Sequence, residues 1–166
     1  MNKQERYEQL CTQVEGLVTG EQNLVGALAN VSAAMKEMFP KEFFWVGFYL
    51  VREKGEGGQG VQRVQELQLG PFQGTVACFT IPYGKGVCGS SWAERRTLVV
   101  PDVEEFPGHI ACSSLSRSEI VVPVFNNASE VVAVIDIDST ERATFDDTDA
   151  FYLEKIAKIL SKELSF

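Results

Sequence analysis

The sequence predicts an α+β domain: a central, mainly antiparallel β-sheet with the N- and C-terminal helices packed on one face. Three observations carry this reading. Long helical apolar spacing falls at the two ends of the chain. Between them, strand-like runs are joined by turns. The 166 residues show no internal repeat and no composition shift, so they fit one domain over 1–166.

Residues 3–18 place Tyr7, Leu10, Cys11, Val14, Leu17 and Val18 at helical spacing. After the break at Thr19-Gly20, Thr19 and Gln22 have capping-box spacing for a second helix over 23–38. That helix carries Leu24, Ala27, Leu28, Val31, Met35 and Met38 on one stripe and stops at Pro40. The run 43–51 is aromatic and β-branched and reads as a strand. Four glycines within 53–60 predict a hairpin loop, and 61–69 pairs back. Residues 70–74, Gly-Pro-Phe-Gln-Gly, read as a turn, and 76–83 as a third strand carrying Cys78. The glycine-rich stretch 84–89 leads into a short helix ending at Glu94, and 98–100 is a brief strand. The irregular segment 101–118 is long for a compact domain, and such connections are usually functional. Strands over 119–125 and 131–137 flank a polar turn, and a last helix over 147–164 buries Phe151, Ile156, Ile159, Leu160 and Leu164.

Composition is ordinary for a globular protein, at 45% hydrophobic and 23% charged. A net charge of −8 argues against nucleic acid or an anionic membrane surface as the main partner, and suits a cation or zwitterion better. The first residues carry no apolar stretch, so no secretory signal is expected. No run approaches the roughly 18 apolar residues of a membrane helix. A cytoplasmic location follows, where thiols stay reduced unless their chemistry requires otherwise.

Against that background the cysteines stand out. Cys78, Cys88 and Cys112 each sit in a short apolar, glycine-rich context without Cys-x-x-Cys spacing, so no metal site is expected. They suggest redox chemistry in which one sulfur attacks and another resolves; two structural disulfides are the alternative for an even count of four. Cys11 falls on the apolar face of the first helix as a core thiol. In Val-Ile-Asp136-Ile-Asp138 the alternation puts both carboxylates on one face of a strand. Two anions so placed require a cation or a shared proton unless the strand end lies in solvent. Glu119, opening the neighbouring strand, makes a candidate third acid. Three acids can hold an ammonium group, and one kept protonated can donate to a developing anion. Trp45, Gly47 and Tyr49 share a face, which makes the two aromatics either core or pocket lining, with Gly47 leaving room beside them. His109, the only histidine, precedes Cys112 by three residues. It could lower the thiol pKa, position the loop, or be satisfied by backbone alone.

These blocks together resemble a known family. Trp45-Val-Gly-Phe-Tyr49, Gly70-Pro-Phe-Gln-Gly74, Ala77-Cys78, Gly84-Lys-Gly-Val-Cys88-Gly89, Pro107-Gly-His-Ile-Ala-Cys112, Ser118-Glu-Ile-Val and Asp136-Ile-Asp-Ser139 match the free methionine-(R)-sulfoxide reductases, single GAF-domain enzymes. The match runs in order over 40–164; the 53–60 loop, Cys11 and Ala133 depart from the pattern away from the expected site. The resemblance implies a GAF-like fold and reduction of the R epimer of free methionine sulfoxide. It implies Cys112 as attacking cysteine, Cys78 as principal resolving cysteine, and Cys88 as a third concerned with exchange. It also implies Glu119, Asp136 and Asp138 as substrate-binding carboxylates, and Trp45 and Tyr49 beside the methyl group. Thioredoxin is the implied reductant, a homodimer is a possible assembly, and no cofactor is called for. The acidic surroundings predict no strongly depressed pKa for Cys112. A non-catalytic GAF module sensing a small ligand is the competing reading, although such modules do not need three thiols and three acids together.

Overall fold

The computed structural model describes residues 1–55 and 64–166. Most of the loop expected over 53–60, and the start of the strand expected over 61–69, lie outside the described residues. Helix α1 (Lys3–Val18) opens on a reciprocal cap: Asn2 Oδ1 accepts from the Glu5 N–H, and the Glu5 carboxylate accepts from the Asn2 N–H. The capping box expected at Thr19 and Gln22 is not used. Thr19 instead ends α1, its hydroxyl donating to Glu15 O at 2.7 Å, and Asn23 caps α2 (Leu24–Met38) through the Gly26 N–H. Asn23, directly before the helix, satisfies an orphan N–H that Thr19, four residues upstream, cannot reach.

Strands β1 (Trp45–Glu53), β2 (Gln65–Gln73), β3 (Thr80–Pro82), β4 (Leu98–Val100), β5 (Ser118–Phe125) and β6 (Val131–Ser139) form one antiparallel sheet in the order β3-β2-β1-β6-β5-β4. Two sequence expectations fail here. The segment 70–73 is not a turn but the end of β2, pairing Phe72 with Gly47 and Gln73 with Val46. The register shifts between Gly47 and Tyr49, and such an irregularity accommodates Pro71, which has no N–H to give a ladder. The third strand shrinks to Thr80–Pro82, leaving Cys78 on the loop before it.

Helices α2 and α4 (Asp147–Glu163) lie against the sheet and α1 packs across both. They share a core with Val46, Phe48, Ile120, Val122, Ile135 and Ile137, the side chains that alternation sends to this face. Phe151 does not join it: the residue is 63% exposed, and α4 buries Tyr152, Leu153, Ile156, Ala157 and Leu160 instead. The helix therefore sits rotated from the stripe read off the sequence. The short helix α3 (Gly86–Glu94) covers the opposite face, where Val87, Cys88 and Trp92 meet Leu67, Val121 and Val134. No helix among the described residues is long and apolar enough to cross a membrane.

The two ends of the chain are tied by a buried polar link. Tyr7, fully buried on α1, donates its hydroxyl to Asp149 Oδ1 at 2.7 Å, while Lys3 Nζ reaches Asp149 Oδ2 at 2.6 Å and Asp146 Oδ2 at 2.9 Å. Tyr7→Phe leaves Asp149 short of one donor inside the core. We expect a loss of about 2 kcal/mol, the scale of a hydrogen bond to a charged group, read from urea unfolding.

Candidate active site

The three central strands build the site through their register. Asp138 pairs with Trp45 on one side and Glu119 on the other, and Asp136 pairs with Gly47 and Val121. Directly opposed residues share a face, so Trp45, Asp136, Asp138 and Glu119 converge on the side away from α1, α2 and α4. Ile135 and Ile137 are buried in the helix-side core, as the alternation requires. The strand end does not emerge into solvent: Glu119 and Asp136 are both buried.

Helix α3 brings Cys88 down onto this floor, with its Sγ 4.0 Å from Glu119 Oε1. The approach depends on Gly89, where an added Cβ would stand 2.6 Å from Pro82 O. Across the cavity mouth, Cys78 and Cys112 form a disulfide with their Cα atoms 5.6 Å apart; Cys112 is exposed and Cys78 half-buried. Two of the four cysteines thus pair, Cys88 stays a buried free thiol at the site, and Cys11 stays in the core behind the sheet.

The aromatic pair lines the cavity and also anchors the Cys78 loop. Trp45 Nε1 donates to Thr75 O at 3.0 Å and Tyr49 Oη donates to Cys78 O at 2.9 Å. The room expected beside Gly47 is already filled. A Cβ there would lie 2.3 Å from Phe72 Cβ, and the Phe72 ring stacks on Trp45 with centroids 5.1 Å apart. The free space lies instead above the carboxylates, a cleft of about 520 Å³ including its open mouth, walled by Ile81, Val87, Ile110 and Ser116.

Electrostatically the floor is a proton store. Burial pushes Glu119, Asp136 and Asp138 well above the usual carboxylate range. Each then feels a neighbour's charge: Asp138 acts on Glu119, Glu119 on Asp136, and Asp136 on Asp138. Asp136 Oδ1 has no hydrogen-bond partner among the described residues. The same burial and acidity push the Cys88 thiol up, and burial also raises Tyr49. Cys112 carries no thiol in this oxidised state. His109 turns its Nε2 to Glu119 Oε2 at 3.4 Å; burial lowers the His109 pKa and raises that of Glu119, which favours the neutral form of each. The His109 backbone N–H donates to Phe106 O at 3.2 Å, which holds the loop three residues before Cys112.

Nothing in the sequence points to Ser116, which lines the cavity with Asp138 from the irregular segment just before β5 and partly offsets the rise in the Asp138 pKa. Phe72 is likewise hidden, because the composition of 70–74 is that of a turn. A period-two pattern of Leu67, Leu69 and Pro71 against Phe72 is too broken by glycine and proline to signal it.

Residues 21–163 match the GAF domain family model. The chain is 52% identical over 159 residues to "GAF domain-containing protein A" of Dictyostelium discoideum, covering 96% of this chain and 92% of that one. It is 41% identical over 169 residues to "Free methionine-R-sulfoxide reductase" of Saccharomyces cerevisiae, covering 100% of this chain and 89% of that one. The chain belongs to the free methionine-R-sulfoxide reductase family. Free methionine-R-sulfoxide reductase from Neisseria meningitidis, crystallised with its substrate, matches it with a TM-score of 0.86 at 48% identity, covering 98% of this chain and 90% of that one. The family joins oxidoreductases to the GAF fold, and both the fold class and the enzyme class expected from the sequence hold.

Proposed function

We propose that the chain reduces free L-methionine (R)-S-oxide to L-methionine with Cys112 as nucleophile and Cys78 as resolving thiol. The observation that carries this is the Cys78–Cys112 disulfide standing at the mouth of a cavity floored by the buried Glu119 and Asp136 and the half-buried Asp138. Relatives named for this reaction support the choice of substrate.

In the reduced protein the Cys112 sulfur attacks the sulfoxide sulfur while a floor carboxyl protonates the sulfoxide oxygen. The oxygen passes to Cys112 as a sulfenic acid, the thiol proton goes back to the carboxyl, and methionine leaves. The Cys78 thiol then attacks that sulfur, water departs, and the disulfide closes. Cys88 takes no part in these two steps; burial among the acids raises its pKa, and it keeps the exchange role that the resemblance implies. An external dithiol, thioredoxin in this reading, reopens the disulfide by exchange at the exposed Cys112 or half-buried Cys78.

The substrate's ammonium belongs on Glu119, Asp136 and Asp138, whose Asp136 Oδ1 awaits a donor. Its methyl group belongs against Trp45 and Tyr49. Methionine sulfoxide within a polypeptide has no free ammonium, so it brings no such donor to Asp136 Oδ1. The expected result is methionine release from the free R epimer with dithiothreitol or thioredoxin, with no product from the S epimer or from a peptide. Turnover of the peptide at a comparable rate would defeat the reading. Binding without turnover would favour a sensor. A homodimer, also implied by the resemblance, is tested by light scattering.

A further inference from the structure

We propose that the site floor also takes one divalent cation of the zinc class, held by Cys88 Sγ, Glu119 and Asp136. One ligand atom from each lies within 4.8 Å of the others, and Cys88 Sγ stands 4.0 Å from Glu119 Oε1. Zinc bonds of about 2.3 Å to sulfur and 2.0–2.2 Å to oxygen, set tetrahedrally, put ligand atoms about 3.5 Å apart. Side-chain rotation alone has to close the remaining ångström or so.

Two observations separate this set from an ordinary acidic cluster. Asp136 is 6% exposed, its carboxylate lies within 4.8 Å of the other two donors, and its buried Oδ1 has no hydrogen-bond partner among the described residues. An ammonium group would satisfy that oxygen but has no use for a thiol, and the two catalytic steps above do not use Cys88 either. A sulfur beside two carboxylates favours a borderline-soft ion over magnesium or calcium, which take oxygen alone.

The donors come from α3, β5 and β6, so no spacing in the chain reveals them. Glu119 and Asp136 are fixed by the ladder between β5 and β6, and Cys88 by the seating of α3 on that sheet. Such placement on rigid elements is what a pre-organised site needs. On binding, the Cys88 thiol proton and the protons held on Glu119 and Asp136 are released to solvent. The cation then occupies the seat proposed above for the substrate ammonium, so the two exclude each other; that consequence alone rests on the reductase reading.

The test uses oxidised protein, in which the Cys78–Cys112 disulfide leaves Cys88 and Cys11 as the free thiols. Titration with Co²⁺ should give one equivalent of a four-coordinate species, with strong visible bands and a thiolate-to-cobalt charge-transfer band in the near ultraviolet. One equivalent of Zn²⁺ should abolish both. Cys88→Ser should remove the charge-transfer band, and Cys11→Ser should keep it. Asp136→Asn keeps the thiol and should weaken Co²⁺ binding by more than about tenfold, since even outer-shell changes reach that scale. A wild-type protein without the charge-transfer band would overturn the proposal. So would a band that survives Cys88→Ser, or unchanged affinity in Asp136→Asn. Because the readout is spectroscopic, its failure leaves the reductase reading standing, and an inactive enzyme that binds Co²⁺ leaves the cation site standing.

Discussion

Cys112→Ser protein is expected to release no methionine above background, a loss of at least about a thousandfold, as when other enzymes lose their nucleophile. Cys112 is exposed at the mouth of the cleft, so replacing sulfur by oxygen there disturbs little packing. Folding, checked by the unfolding midpoint, should stay intact. The loss is chemical: a thiolate is a strong nucleophile toward sulfur, and an alcohol with its much higher pKa is not. Cys78→Ser should behave differently. Its Cys112 still attacks, so one methionine per chain forms, and the sulfenic acid then persists for want of its partner and can be trapped by a carbon nucleophile and weighed. Cycling with thioredoxin should cease. Undiminished steady-state turnover by Cys78→Ser would remove Cys78 as resolver and transfer the role to Cys88, against the acid surroundings that hold that thiol protonated.

Where the sequence was legible, short-range periodicity carried the information. The spacing of Tyr7, Leu10, Cys11 and Val14 fixes one face of α1, and the alternation through Ile135, Asp136, Ile137 and Asp138 sends two acids to one side and two isoleucines to the other. What stayed hidden depends on distant pairings. Nothing local says that Glu119 opposes Asp138, or that β6 stands between β1 and β5. The seat of Phe72 over Gly47 follows from a register shift between β1 and β2, and glycine and proline in 70–74 mask that strand end. Local composition also overstated the strand at 76–83. Val76 and Phe79 are β-formers that end up 88% and 82% exposed, because the Trp45 and Tyr49 hydrogen bonds pull this backbone into a loop that presents Cys78.

Asp136→Asn is expected to make the substrate-free protein more stable at neutral pH and the enzyme about a hundredfold slower, the lower range for a lost acid–base group. The sign follows from the direction of the shifts. Burial, and then mutual charge, raise Glu119, Asp136 and Asp138, so the folded protein keeps protons that the unfolded chain releases near pH 4. Their contribution is fully present below that unfolded value. It declines as pH rises toward the raised folded values and levels off beyond them. Asp146 works in reverse. Its hydrogen bond from Lys3 holds it at about 2, so its contribution is present above the unfolded value and is lost as pH falls through that range. Comparing Asp136→Asn with the parent cancels Asp146 and isolates the floor. The stability gap should be small at pH 4 and widen toward pH 7.5 in urea unfolding of the oxidised protein. Over the same interval the variant should show a raised KM for methionine sulfoxide, because an amide cannot balance the ammonium charge. A variant that is less stable at pH 7.5 than its parent would mean that Asp136 is held as a stabilised anion, and the floor would then have no proton there to give the sulfoxide oxygen.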